Sequence, residues 1–236
     1  MTELNNDEIY CRDRVRRFDP DRATVIAFQP AATRPSLYAL HAFNLEVAHL
    51  RETVSEPALG AMRLQWWRDA LDNAASGREY HHSVLQPLAA AIRKHDLPAD
   101  EFRRLLDARE MDLDALPPAD LLAYARETGG VLTALAGRVV SGQAGNEDIG
   151  TAWALVGWLR AAAFFRRPLP ESAGPRALAR EAEALLAPGT DSYGRALAAL
   201  ARAYIRKLGQ LGYDLADSRA AAPLRLRGWR IAFGRE

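Results

Sequence analysis

Cysteine is almost missing from this chain. Cys11 stands alone, so no intrachain disulfide can form, and a reducing compartment fits. Lysine is nearly as scarce: of the 31 basic residues only Lys94 and Lys207 are lysines, and the rest are arginines. A GC-rich coding sequence accounts for that bias, and so does a need for the guanidinium fork, which binds phosphate or carboxylate through two parallel hydrogen bonds. Neither sign of charge dominates. The formal net charge of +1 removes any general case for nucleic-acid binding. No run of about 18 apolar residues occurs, so no segment is expected to span a bilayer, while peripheral contact stays open. The polar, acidic start Met-Thr-Glu-Leu-Asn-Asn-Asp-Glu is unlike a signal or transit peptide and implies a cytoplasmic chain. Glycine-rich phosphate loops, His-Glu-x-x-His, paired cysteines and Gly-x-Ser-x-Gly are all lacking. An alternating strand pattern is lacking too, until Leu224-Arg-Leu-Arg near the end, and no repeat of 20–50 residues is visible.

What is present is helical patterning. With 236 residues and 49% hydrophobic content, the chain can bury one sizeable core, and 1–236 reads as one all-α domain with a basic tail over 223–236. A polar, charge-dense helix is expected over 5–18, ending near Asp19-Pro20, with a short apolar piece at 24–28. Thr33-Arg-Pro-Ser opens a central helix in which Leu37, Leu40, Phe43, Val47, Leu50 and Val54 recur every three or four residues. A second face of that helix carries His41, Leu45, Ala48 and Glu52, a mixed stripe suited to a cavity wall. Further helices are expected from Pro57 to the break at Gly77, over 84–94, over 99–113, through Leu121, Tyr124, Leu132 and Leu135, over 147–165 with Asn146 as cap, over 176–186 and over 193–211.

The run 39–56 followed by Arg63-Leu-Gln-Trp-Trp resembles the squalene/phytoene synthase family, the all-helical head-to-head prenyl synthases. So does Ala154-Leu-Val-Gly-Trp-Leu-Arg160. Broader, weaker similarity runs through 105–113, Tyr124 with Gly130, and Ala203-Tyr204. The resemblance implies an isoprenoid-synthase-like bundle around a central cavity, in which aspartates four apart on two helices hold Mg2+ against a prenyl diphosphate. In this chain those four positions fall on Ala48, Glu52, Ala161 and Phe165, and the family's asparagine falls on Gly157. Only Glu52 keeps a carboxylate, a poor seat for a hard cation that needs several oxygens. The spelling Ala-Phe-Asn-Leu-Glu-Val-Ala is closer to a branch of mitochondrial and alphaproteobacterial relatives linked to respiratory complex I assembly.

Two readings follow from the resemblance. In the first, the chain is a non-catalytic binding or assembly factor, without cofactor, holding an apolar, isoprenoid or lipid ligand. It would work with a respiratory complex subunit, at or near the inner membrane. In the second, it is an active prenyltransferase that requires Mg2+ and anchors diphosphate with arginine. The cavity residues implied are His41, Leu45, Ala48, Glu52, Arg109, Asp112, Tyr124, Arg160, Ala161 and Phe165; no catalytic residue is assigned, and Glu52 is the one metal candidate. Arg109, Glu110 and Asp112 form either an ion-pair set on a solvated face or a polar rim where Arg109 and Arg160 face a ligand head group. His41 reads as a buried, hydrogen-bonded histidine rather than a base. His81-His82 read as loop residues, and Trp66-Trp67 as core plus a rim aromatic. In the tail, Arg225, Arg227, Trp229 and Arg230 are the candidates for contact with a partner or anionic lipid.

Overall fold

The computed structural model describes residues 5–54, 56–76, 80–113, 120–165, 169, 174–186 and 191–224, without the side chains of Arg51, Glu52, Ala75, Phe165 and Ala221. All regular elements among these residues are helical, as the 3.6-residue periodicity predicts. α1 (Asn6–Phe18) starts with a capping box in which Asn5 and Glu8 exchange backbone-to-side-chain bonds of 2.9 Å. Asp19 ends it. The same aspartate then accepts the Arg22 N–H at 3.1 Å and opens α2 (Pro20–Ala27), with proline at the first helical position. The apolar piece expected at 24–28 is therefore the second half of a helix, whose start lies in the Asp-Pro pair read as a break.

α3 (Arg34–Ala48) is buried along almost its whole length and packs against α1, α2, α6 (Leu85–His95), α7 (Ala99–Arg109) and α9 (Val131–Ser141). The periodicity carries the central helix to Val54, but it is interrupted at His49, and α4 (Leu50–Thr53) follows as a single turn. The Thr53 hydroxyl donates back to the His49 carbonyl at 3.0 Å, a local bond that competes with regular helix, and the Phe18 ring meets His49 edge-on at 5.8 Å. α5 (Pro57–Asp72) buries Leu64, Trp67 and Leu71 and leaves Trp66 half-exposed, so the tryptophan pair is divided between core and rim. His82 lies in the loop before α6, where its ring nitrogen accepts the N–H groups of Val84 and Leu85, both at 3.2 Å.

The helix expected over 99–113 stops at Arg109 and tightens into a 3₁₀ turn, Glu110–Leu113. The long helix expected through Tyr124 and Leu135 is built from three pieces: α8 (Leu121–Ala125), a π-helical turn Arg126–Gly130, and α9. Gly129 and Gly130 allow this turn to press against α10 (Glu147–Phe165): a Cβ on Gly129 would fall 2.5 Å from the Gly150 carbonyl oxygen. Asn146 accepts the Asp148 N–H at 2.8 Å at the start of α10, the expected cap. α10 also packs on α11 (Pro175–Ala184), α12 (Ser192–Gln210) and α13 (Ser218–Ala221). No helix among the described residues is long and apolar enough to cross a membrane.

Candidate functional site

A cavity of about 560 Å3, within the size range of small-molecule sites, opens between the α1–α2 corner, the C-terminal half of α3, the turn after α7, the π-helical turn and α10. α10 supplies the stripe Ala154, Gly157, Trp158, Ala161 and Phe164, spaced three or four apart as one helix face must be. Small residues on that stripe make the space. A Cβ on Gly157 would touch nothing within 4 Å. Opposite lie Asn44 and Ala48 of α3, Gly129 and Thr128 of the π turn, and Leu132 of α9.

The polar wall is made of three arginine–aspartate pairs. Arg109 donates to Asp112 at 3.0 Å and to Asn44 Oδ1 at 3.0 Å, and Tyr124 donates its hydroxyl to both Asp112 oxygens at 2.8 Å. Burial works against the Arg109 charge, but Tyr124 and Asp112 outweigh it and hold the guanidinium above its ordinary pKa. Burial likewise raises the Tyr124 hydroxyl, keeping it a donor. Arg160 reaches Asp21 at 3.0 Å while its guanidinium lies 4.0 Å from the centre of the Tyr204 ring, and Tyr204 donates to the same Asp21 oxygen at 2.8 Å. Arg22, almost fully buried, reaches Asp19 at 3.4 Å; desolvation raises the Asp19 pKa, with Arg22 opposing. Each positive group on this wall thus meets a negative one.

Of the cavity residues expected from sequence, Ala48, Arg109, Asp112, Tyr124, Arg160 and Ala161 line this space together. The side chains of Glu52 and Phe165 lie outside the described residues, as do Arg225, Arg227, Trp229 and Arg230. His41 and Leu45 do not reach the cavity. The cavity face of α3 centres between Asn44 and Ala48, which turns Leu45 into the core, while His41 shares the Ala48 face but stands nearly two turns nearer the start of α3, where Tyr193 of α12 covers it. There the His41 Nε2 sits 2.8 Å from the Tyr193 hydroxyl, with the two rings stacked at 5.7 Å. The charged cluster after α7 splits in two. Arg109 and Asp112 form the cavity rim, whereas exposed Glu110 pairs with Arg68 at 2.7 Å on the surface. Sequence reasoning missed Asp19, Asp21, Arg22 and Asn44. The Asp-Pro-Asp-Arg run reads as a helix end, and nothing local tells which neighbours its charges meet. Among the described residues no group of three or more histidines, cysteines or carboxylates could hold a metal ion.

His41 carries a testable consequence. Burial first, and the neighbouring Arg22 second, push its pKa well below the ordinary value, so the folded protein holds it neutral. The unfolded chain takes up a proton near pH 6.5 that the folded one refuses, so stability is full above that pH and falls below it. The slope for one proton is about 1.4 kcal/mol per pH unit. Urea unfolding at several pH values should show His41→Gln losing less stability than wild type on acidification; parallel slopes would refute this assignment.

The helical order and the central cavity define an all-helical bundle of the kind found in head-to-head prenyl synthases. A solved dehydrosqualene synthase superposes with a TM-score of 0.75 at 17% identity, covering 96% of this chain and 94% of that one. A squalene synthase from Alicyclobacillus acidocaldarius superposes at 0.68 with 21% identity, covering 88% of this chain and 94% of that one. The model of the squalene/phytoene synthase family matches residues 15–164. The chain belongs to the squalene/phytoene synthase family. Among curated relatives, the protein named NADH dehydrogenase (ubiquinone) complex I, assembly factor 6 from Bos taurus is 35% identical over 105 residues, 44% of this chain and 32% of that protein. The protein of the same name from Mus musculus is 32% identical over 169 residues, 68% of this chain and 51% of that protein. The chain therefore spans a third to a half of the length of these relatives.

Proposed function

We propose that this protein is a non-catalytic member of its family that serves as an assembly factor for respiratory complex I and holds a neutral apolar ligand, an isoprenoid or a lipid tail, in its cavity. One observation carries the reading: the three described carboxylates of the cavity wall, Asp19, Asp21 and Asp112, are each engaged by an arginine. A Mg2+–diphosphate site needs carboxylates left open for the metal and cations left open for the phosphates. Here the charges satisfy one another, and the positions that would carry further aspartates by resemblance are Ala48 and Ala161, both on the cavity wall. The relatives named as complex I assembly factors support the same reading.

Three measurements test it. With farnesyl or geranylgeranyl diphosphate and Mg2+ or Mn2+, no pyrophosphate release is expected; release that disappears in Glu52→Ala would establish a prenyltransferase instead. Thermal shift and native mass spectrometry are expected to register an isoprenoid alcohol or a phospholipid in preference to inorganic pyrophosphate. Affinity capture from the native membrane fraction is expected to recover respiratory complex I subunits, and their absence would remove the assembly reading.

A further inference from the structure

The mouth of the cavity differs from its wall. Two of its lining residues, Phe18 at the end of α1 and Phe164 near the end of α10, are 49% and 70% exposed, and Pro20 beside Phe18 is exposed too. Two arginines flank the Phe18 ring. The Arg14 and Arg17 guanidiniums lie 5.6 and 5.2 Å from its ring centre. Arg14 pairs with Glu46 and Arg12 with Asp13, whereas exposed Arg16 and Arg17 form no ion pair among the described residues, Asp13 reaching Arg16 only at longer range. Paired charges inside and surface arginines beside exposed aromatics at the opening are different chemistries, and only the second invites an anionic surface.

We infer that this lip docks the protein on an anionic phospholipid bilayer, with Phe18 and Phe164 entering the interfacial zone and Arg16 and Arg17 meeting the headgroup phosphates. Charge complementarity selects an anionic partner. The phenylalanines select a bilayer over an acidic protein face, because a protein must offer each ring a shaped pocket whereas lipid receives it in any register. Docking in this orientation would set the cavity opening against the acyl chains. Only that consequence, ligand entry from the membrane, rests on the function proposed above; the docking stands without it. The location is also distinct from the basic tail beyond residue 223.

Co-sedimentation of the full chain with vesicles of phosphatidylcholine, and of phosphatidylcholine mixed with phosphatidylglycerol, tests the inference. Binding is expected to the mixed vesicles alone and to weaken as salt is raised from about 50 to about 300 mM. Arg16→Gln with Arg17→Gln, an exposed pair without an ion-pair partner, should lower partitioning about tenfold or more. Phe18→Ser with Phe164→Ser should lower it on the mixed vesicles at low and at high salt alike. Met62→Ser with Trp66→Ser, altering an exposed apolar pair elsewhere on α5, and a chain ending at Ala222 should both bind as wild type does. The inference fails if wild type ignores the mixed vesicles, if the arginine pair has no effect, or if only the truncation or the α5 pair abolishes binding. Failure of complex I capture with vesicle binding intact would sink the assembly reading and leave the docking standing.

Discussion

Arg109→Met is expected to destabilise the fold by about 3–5 kcal/mol, read as a fall in urea midpoint at an unchanged slope. The reason lies in burial: the side chains of Arg109 and Asp112 are each only 12% exposed, and Tyr124 and Asn44 complete the cluster. Removing the guanidinium leaves a carboxylate in a poorly solvated wall facing one hydroxyl, which cannot replace a full opposite charge. The cost belongs to the stranded partner rather than to the pair. Hence the triple variant Arg109→Met, Asp112→Leu, Tyr124→Phe, which withdraws charge and hydroxyl together, should recover most of the loss. A single variant costing under about 1 kcal/mol would show that Asp112 is hydrated from the cavity instead.

Gly150→Val should be the next most damaging change. A Cβ at this position would lie 2.2 Å from the Gly129 carbonyl oxygen and 2.4 Å from Thr133 Oγ1. The first of these is backbone, which cannot swing aside as a flexible side chain would, so α10 must move away from the π turn and α9. Overpacking of this kind costs about 1–3 kcal/mol and sometimes more; the upper end is expected here, with Gly150→Ala milder. Because Gly129 and Ala154 are also cavity lining, binding of an isoprenoid alcohol should weaken along with the thermal midpoint. Unchanged stability in Gly150→Val would mean that the helices do not approach this closely.

Much of the architecture was legible in residue order. Apolar residues at helical spacing, proline at the starts of α3 and α5, and Asn146 before α10 marked helices whose existence depends on local chemistry. The interruptions were not legible. His49 and the π turn at Arg126–Gly130 carry no proline, and they arise where a helix yields to a neighbour: the Phe18 ring at one, the close approach of α10 at the other. The same divide holds for the site. The family resemblance placed Gly157 and Ala161 at the cavity, and with it the substitution of small residues for carboxylates at Ala48 and Ala161. Which side of α3 faces the cavity depended on helices distant in sequence, so His41 and Leu45 were assigned to the wall while Asn44 was overlooked. The pairing of Arg160 with Asp21, and of Arg22 with Asp19 against Tyr193 and His41, also waited on the fold. A charge carries no record of its partner until burial strips away the water and requires one.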